Sequence, residues 1–193
     1  MKRRHAAAFL ALAFGVTGAP VVAGPAAFRQ KLHLQGITFE VSSPNTGSVN
    51  VLRITVGGRI TRKVTIKKEI FGTVTQAEVA DLNADGWPEI YIYVTSAGSG
   101  SYGSVEAYAV NRGKSVTPIA LPDLMDDKTA SRGFRGHDVF AVVEDTLARR
   151  FPLYSELDTN ANPSGGTRQI HYRLVSGEAG WRLRMDSTMT SEY

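Results

Sequence analysis

Residues 89–110 read EIYIYVTSAGSGSYGSVEAYAV, two apolar segments separated by a stretch of serine and glycine. The segments at 89–95 and 104–110 alternate with a period of two and are rich in Ile, Val and Tyr, which is typical of half-buried β-strands. We therefore predict a hairpin of two strands whose tip is formed by Ser96–Ser104, called the tip loop below.

The same alternation recurs on both sides of this hairpin. Further strands are predicted at residues 37–41, 49–56, 60–70, 115–121, 139–144, 147–154, 169–175 and 181–185. Gly57 and Gly58 indicate a hairpin turn between the second and third of these. The one helical candidate is short, at residues 75–82. About ten short, closely spaced strands predict an all-β fold, an antiparallel β-sandwich, with an irregular barrel as the alternative.

The N-terminus has the three parts of a secretory signal peptide, predicted at residues 1–23. Residues 2–4 are basic, residues 6–16 form a short apolar run, and residues 21–23 are the small side chains that signal peptidase prefers. The apolar run is shorter than the roughly 20 residues that a membrane-spanning helix needs. We expect cleavage near Gly24 and a single β-sandwich domain over residues 24–193.

Composition narrows the class of protein further. The chain has no cysteine, which excludes a lipid-anchored lipoprotein, a disulfide framework and a thiolate metal site. Of the net charge of +4, three units belong to residues 2–4, so that the remaining chain carries about one. Its basic residues are dispersed, which argues against nucleic acid as a partner. We expect a periplasmic protein without a membrane anchor.

The tip loop contains G-x-G-x-x-G at residues 98–103, the pattern of a dinucleotide-binding turn. That site needs a helix after the glycines, whereas residues 104–110 are predicted to form a strand, so we expect no nucleotide cofactor. A serine hydrolase would place its nucleophile in G-x-S-x-G, and the glycines around Ser99 have a different spacing. A hydrolase stays an alternative, because geometry and not residue order defines a catalytic triad.

A second motif, DLNADGWPE, occupies residues 81–89. Asp81, Asn83 and Asp85 offer oxygen ligands at alternate positions, as calcium loops do. However, Ile92 stands where an EF-hand requires a carboxylate, and the same residues suit a turn capped by its own Asp and Asn side chains. A non-catalytic periplasmic module that binds calcium or glycan is therefore the alternative function.

The composition of the tip loop suits protein recognition. Gly98, Gly100 and Gly103 are expected to adopt backbone angles that other residues avoid and to let the main chain approach a partner closely. The hydroxyls of Ser99 and Ser101 both donate and accept hydrogen bonds. A tyrosine is a rigid aromatic anchor with a polar end, a role that falls to Tyr102. We predict a binding loop without catalytic residues or a metal site.

Residues 81–108, DLNADGWPEIYIYVTSAGSGSYGSVEAY, resemble the bacterial periplasmic inhibitors of invertebrate-type (i-type) lysozyme. In that family an Asp/Asn/Gly turn leads into a strand, an S-A-G-S-G-S-Y-G loop and a second strand, and the resemblance extends over about residues 74–183. It implies a β-sandwich and a protein that is not an enzyme and plugs the lysozyme cleft with the tip loop.

The resemblance also implies which side chains bind. Family members use a serine and a tyrosine three residues apart, which here are Ser99 and Tyr102. The expected partner is i-type lysozyme, and a homodimer is a further expectation because some members are dimeric.

Overall fold

The computed structural model describes residues 26–178 and 180–191, so the predicted signal peptide at residues 1–23 lies outside the described residues. Regular structure in them consists of a short 3₁₀ helix, Leu124–Asp126, and strands that alternate with short turns. No helix in this part of the chain is long and apolar enough to cross a membrane. The strands are β1 (Phe28–Leu34), β2 (Ile37–Ser43), β3 (Val49–Gly58), β4 (Val64–Phe71), β5 (Thr73–Ala80), β6 (Glu89–Thr95), β7 (Gly103–Asn111), β8 (Ser115–Ala120), β9 (Val139–Val143), β10 (Thr146–Pro152), β11 (Thr167–Gly177) and β12 (Gly180–Ser191).

The strands form two sheets, which confirms the predicted all-β class. One sheet has four strands in the order β1-β2-β3-β4, and the other has eight in the order β5-β6-β7-β8-β12-β11-β10-β9. Neighbouring strands are antiparallel except β8 and β12, which pair in parallel where Ile119 faces Trp181. All ten predicted strands are present with shifted ends, and the turn after β3 lies beyond the two glycines, at residues 59–63.

The predicted helix at residues 75–82 is wrong, because most of it belongs to β5. A β-bulge between Val74 and Gln76 shifts the register against β6. The bulge places Val74 and Ala77 in the same core although they are three residues apart, and Ala80 is buried in the core on the other face. The buried positions therefore have a spacing that imitates a helix. Strand β1 was not predicted either, since its side chains alternate only between half-buried and exposed at a sheet edge.

Two hydrophobic cores meet at β6, whose residues 89–94 are all buried. Ile90, Ile92 and Val94 pack in the core between the four-stranded sheet and the eight-stranded sheet. Tyr91 and Tyr93 point to the other side, into the core enclosed by the eight-stranded sheet. A strand covered on both faces has apolar side chains in both phases of its alternation, which explains the sequence EIYIYV.

The eight-stranded sheet curls until its edge strands, β5 and β9, touch. Glu78 on β5 accepts a hydrogen bond of 2.8 Å from the backbone N of Val142 on β9, and a second from the Tyr93 hydroxyl. The Tyr93 ring also stacks on Phe140 of β9, with centroids 6.0 Å apart. The hairpin of β6 and β7 is thus fixed on both faces, which gives the tip loop stiff stems.

Candidate functional site

The tip loop leaves the sheets at the end of β6 and returns at the start of β7. Its residues 96–102 connect the strands, and residues 103 and 104 already belong to β7. The backbone N of Ser96 donates to the O of Tyr102 at 2.8 Å, and the N of Tyr102 donates to the Ser96 Oγ at 2.9 Å. These two bonds close the base of the loop.

Glycine is favoured at the three positions of the loop for different structural reasons. Gly98 has a φ of +112°, as predicted for a position that favours glycine. At Gly100 and Gly103 the φ angle is not in that region, and close packing explains the residue instead. A Cβ at Gly100 would overlap the Tyr102 ring, and one at Gly103 would lie 2.6 Å from the backbone O of Asp138. These two glycines shape the loop from within.

The segment before β9 supports the loop from one side. The backbone N of His137 donates to the O of Gly100 at 2.8 Å. Gly136 has a φ of +96°, and a Cβ there would overlap the same carbonyl oxygen. Only glycine permits this close approach of the two chain segments, so Gly136 is needed for the loop to sit where it does.

A buried ion pair holds the second stem. One carboxylate oxygen of Asp138 accepts from the backbone N of Gly103 at 2.7 Å, and the other contacts the Arg149 Nη2 at 2.6 Å. The Arg149 guanidinium lies 5.0 Å from the Phe134 ring centroid and also faces Phe140. Removing one partner of such a buried pair would leave an uncompensated charge in the core.

The loop after β10 supports the tip of the hairpin. Asn160 donates through Nδ2 to the O of Ser99, and its Oδ1 lies 3.2 Å from the His137 Nε2. The Tyr154 hydroxyl donates to the O of Asn160 at 3.0 Å. Sequence reasoning missed Gly136, Asp138, Arg149 and Asn160 as parts of the site. The local sequence contains no sign of these contacts, which join segments far apart in the chain.

The side chains of Ser99 and Tyr102, the two predicted contact residues, are among those that the tip loop leaves exposed. Ser99 is exposed, and the Tyr102 side chain is 51% exposed while its ring rests edge-on against Phe134 at a centroid distance of 5.7 Å. Among the described residues, neither hydroxyl has a hydrogen-bond partner. The His137 ring contacts Asn160 and makes no hydrogen bond to Ser99 in that part of the chain.

The second motif lies at the opposite end of β6. Carboxylate oxygens of Asp81, Asp85 and Glu89 lie within 4.8 Å of one another. Asp81 also accepts hydrogen bonds from the backbone N of Asp85 at 3.0 Å and of Gly86 at 2.9 Å, and Asn83 Oδ1 accepts from Asp85 N at 3.1 Å. These are the bonds of the predicted capped turn. Calcium binding here stays the alternative to the prediction of no metal site.

Glu89 is the buried member of this cluster. Its side chain accepts from the backbone N of Leu82 at 2.9 Å. Burial raises the pKa of the Glu89 carboxyl to about 8, and the neighbouring carboxylates of Asp81 and Asp85 contribute in the same direction. The protonated form is therefore favoured in the folded protein at neutral pH.

One known protein family matches the part of the chain that contains the tip loop. Residues 41–129 match the model of the family described as periplasmic lysozyme inhibitor of I-type lysozyme. The predicted resemblance to the PliI family is thereby confirmed. No curated protein and no solved structure matches the chain significantly.

The PliI match covers the tip loop and its two stems, β6 and β7. The family is one of periplasmic inhibitors, with I-type lysozyme as partner. Gly136, Asp138, Arg149 and Asn160 lie outside the matched residues. The contacts that support the loop therefore come from the structure alone.

Proposed function

We propose that this protein inhibits i-type lysozyme by inserting the tip loop into the active-site cleft, which blocks hydrolysis of peptidoglycan. The proposal rests on one observation: the loop's backbone is fixed by the rest of the protein, and two of its side chains are free to contact a partner. Its backbone is bonded to Asn160, His137 and Asp138, while the Ser99 and Tyr102 side chains stay exposed. The PliI match supports the identity of the partner.

The two side chains suit a glycosidase cleft. Such a cleft carries a general acid and a second carboxylate on either side of the scissile bond. The Ser99 hydroxyl can donate to an ionised carboxylate, a hydrogen bond that contributes about 1.5–3 kcal/mol. Tyr102 can occupy a sugar subsite with its ring. The loop offers no glycosidic bond, so the enzyme is blocked without a reaction.

The support of the loop favours tight binding. Ordering a flexible side chain on association costs about 0.5–1.5 kcal/mol, and ordering backbone costs more. The tip loop is held by hydrogen bonds to two other segments, the one before β9 and the loop after β10, before any partner arrives, so little of this cost remains. The arrangement resembles that of rigid inhibitor loops in general, where preorganisation contributes to affinity.

The test is residual lytic activity of i-type lysozyme titrated with the purified protein from Gly24 onward. We expect Ser99→Ala to weaken inhibition about tenfold or more, and Tyr102→Ala to weaken it by about 2 kcal/mol or more. Ser187→Ala on β12, another exposed serine, is the matched control and should inhibit like the parent. Parental inhibition by both loop variants would show that the loop assignment is wrong.

A further inference from the structure

We propose that the lysozyme-binding surface continues from the tip loop onto the 155–164 loop, with Leu157 as its apolar contact. This inference rests on the proposed function and assigns a second element to the same interface. The partner surface is the rim of the lysozyme cleft, next to the point where the tip loop would enter.

The size of a stable interface requires a second element. Stable protein–protein interfaces bury about 800 Å² on each partner and involve about 20–30 residues a side. The tip loop, Ser96–Ser104, contributes nine residues, of which four are only half-exposed. Neighbouring surface must therefore take part if the loop is to bind firmly.

The 155–164 loop is the neighbour that is bonded to the tip of the hairpin. Asn160 donates to the O of Ser99, the residue proposed to reach the lysozyme carboxylates. Asn160 also contacts His137, whose backbone N holds Gly100. The two loops consequently present one continuous surface at this end of the molecule.

The 155–164 loop is ordered although it is exposed. The Asp158 carboxylate accepts from the backbone N of Ser155 at 2.7 Å and of Ser164 at 2.8 Å. The Arg135 guanidinium donates to the backbone O of Ser155 and of Asp158, both at 2.9 Å. Side chains thus fix the path of the turn that carries Leu157.

Leu157 is 97% exposed on this fixed turn. Because the backbone of residues 155 and 158 is bonded in place, the leucine is presented outward in the free protein. Only one other large apolar side chain among the described residues of these two loops is exposed, Tyr102 at 51%. A partner that covers Tyr102 and Leu157 together would remove both from water, which favours association.

The experiment compares Leu157→Ala with the parent in the lysozyme titration and in binding kinetics. We expect the inhibition constant to rise about tenfold, because the variant no longer buries a leucine side chain against the partner. The change should appear mainly as faster dissociation. The melting temperature should not change, since Leu157 makes no buried contact to lose. Val143→Ala, at the turn between β9 and β10 at the other end of the sheet, is the control and should bind like the parent.

The outcomes separate this inference from the proposed function. If Ser99→Ala and Tyr102→Ala weaken inhibition while Leu157→Ala matches the parent, the inference is overturned and the proposed function stands. If Val143→Ala weakens binding as much as Leu157→Ala, the effect is not local and the inference is again overturned. A parent protein that does not inhibit i-type lysozyme overturns both.

Discussion

Replacing Gly136 with alanine should release the tip loop while leaving the fold intact. An L-residue other than glycine in the left-handed region costs about 1–2 kcal/mol, and Gly136 has a φ of +96°. The new methyl group would also overlap the O of Gly100, so that residue must move. Moving it breaks the 2.8 Å hydrogen bond from His137 N, worth about 1 kcal/mol. The expected loss of stability is about 2–3 kcal/mol.

Gly86→Ala is a matched control that separates backbone strain at a positive φ from displacement of the neighbouring chain. Gly86 has a φ of +80°, but a Cβ there would meet nothing within 4 Å. Gly86→Ala should therefore lower the free energy of unfolding only through its unfavourable φ, by about 1–2 kcal/mol. Gly86 lies at the end of the molecule away from the loop. Urea unfolding gives the stability of both variants, and the lysozyme titration gives their inhibition constants.

We expect the Gly136→Ala inhibition constant to rise about tenfold or more, because the displaced loop presents Ser99 and Tyr102 in the wrong place. Gly86→Ala should inhibit like the parent. Parental inhibition by Gly136→Ala, with a stability equal to that of Gly86→Ala, would refute the idea that the Gly136–Gly100 approach positions the loop.

Two further predictions concern the other end of β6. The pKa of Glu89 is about 8 in the folded protein against 4.5 for an ordinary glutamate. Between these two pH values the folded chain therefore binds more protons than the unfolded chain. This contribution to stability is complete below about pH 4.5 and is lost as the pH rises through about 8. The melting temperature of the parent should fall over that range relative to Glu89→Gln, and parallel curves would contradict the assignment. Calcium or EDTA should leave the melting temperature unchanged at neutral pH, because Asp81 already accepts backbone hydrogen bonds of its own turn. A calcium-dependent rise that is lost in Asp85→Ala would instead support the calcium-binding alternative.

Local sequence patterns predict ten of the twelve strands in the described residues, and they predict the tip loop. Alternating apolar residues identify β6 and β7, and the serines, glycines and Tyr102 between them indicate an exposed binding loop. These features are local, since the period of a strand and the preferences of a turn depend on adjacent residues. Where a bulge broke the period, in β5, the local pattern led to the wrong element.

The contacts that hold the loop join segments far apart in the chain and become visible only in the folded structure. Asn160 reaches Ser99 across 61 residues of sequence, and Asp138 reaches Gly103 across 35. Such contacts depend on which strands become neighbours and in which register. Burial of both faces of β6 and closure of the eight-stranded sheet determine the strand order and register. Both are properties of the assembled cores, and no single segment of the sequence encodes them.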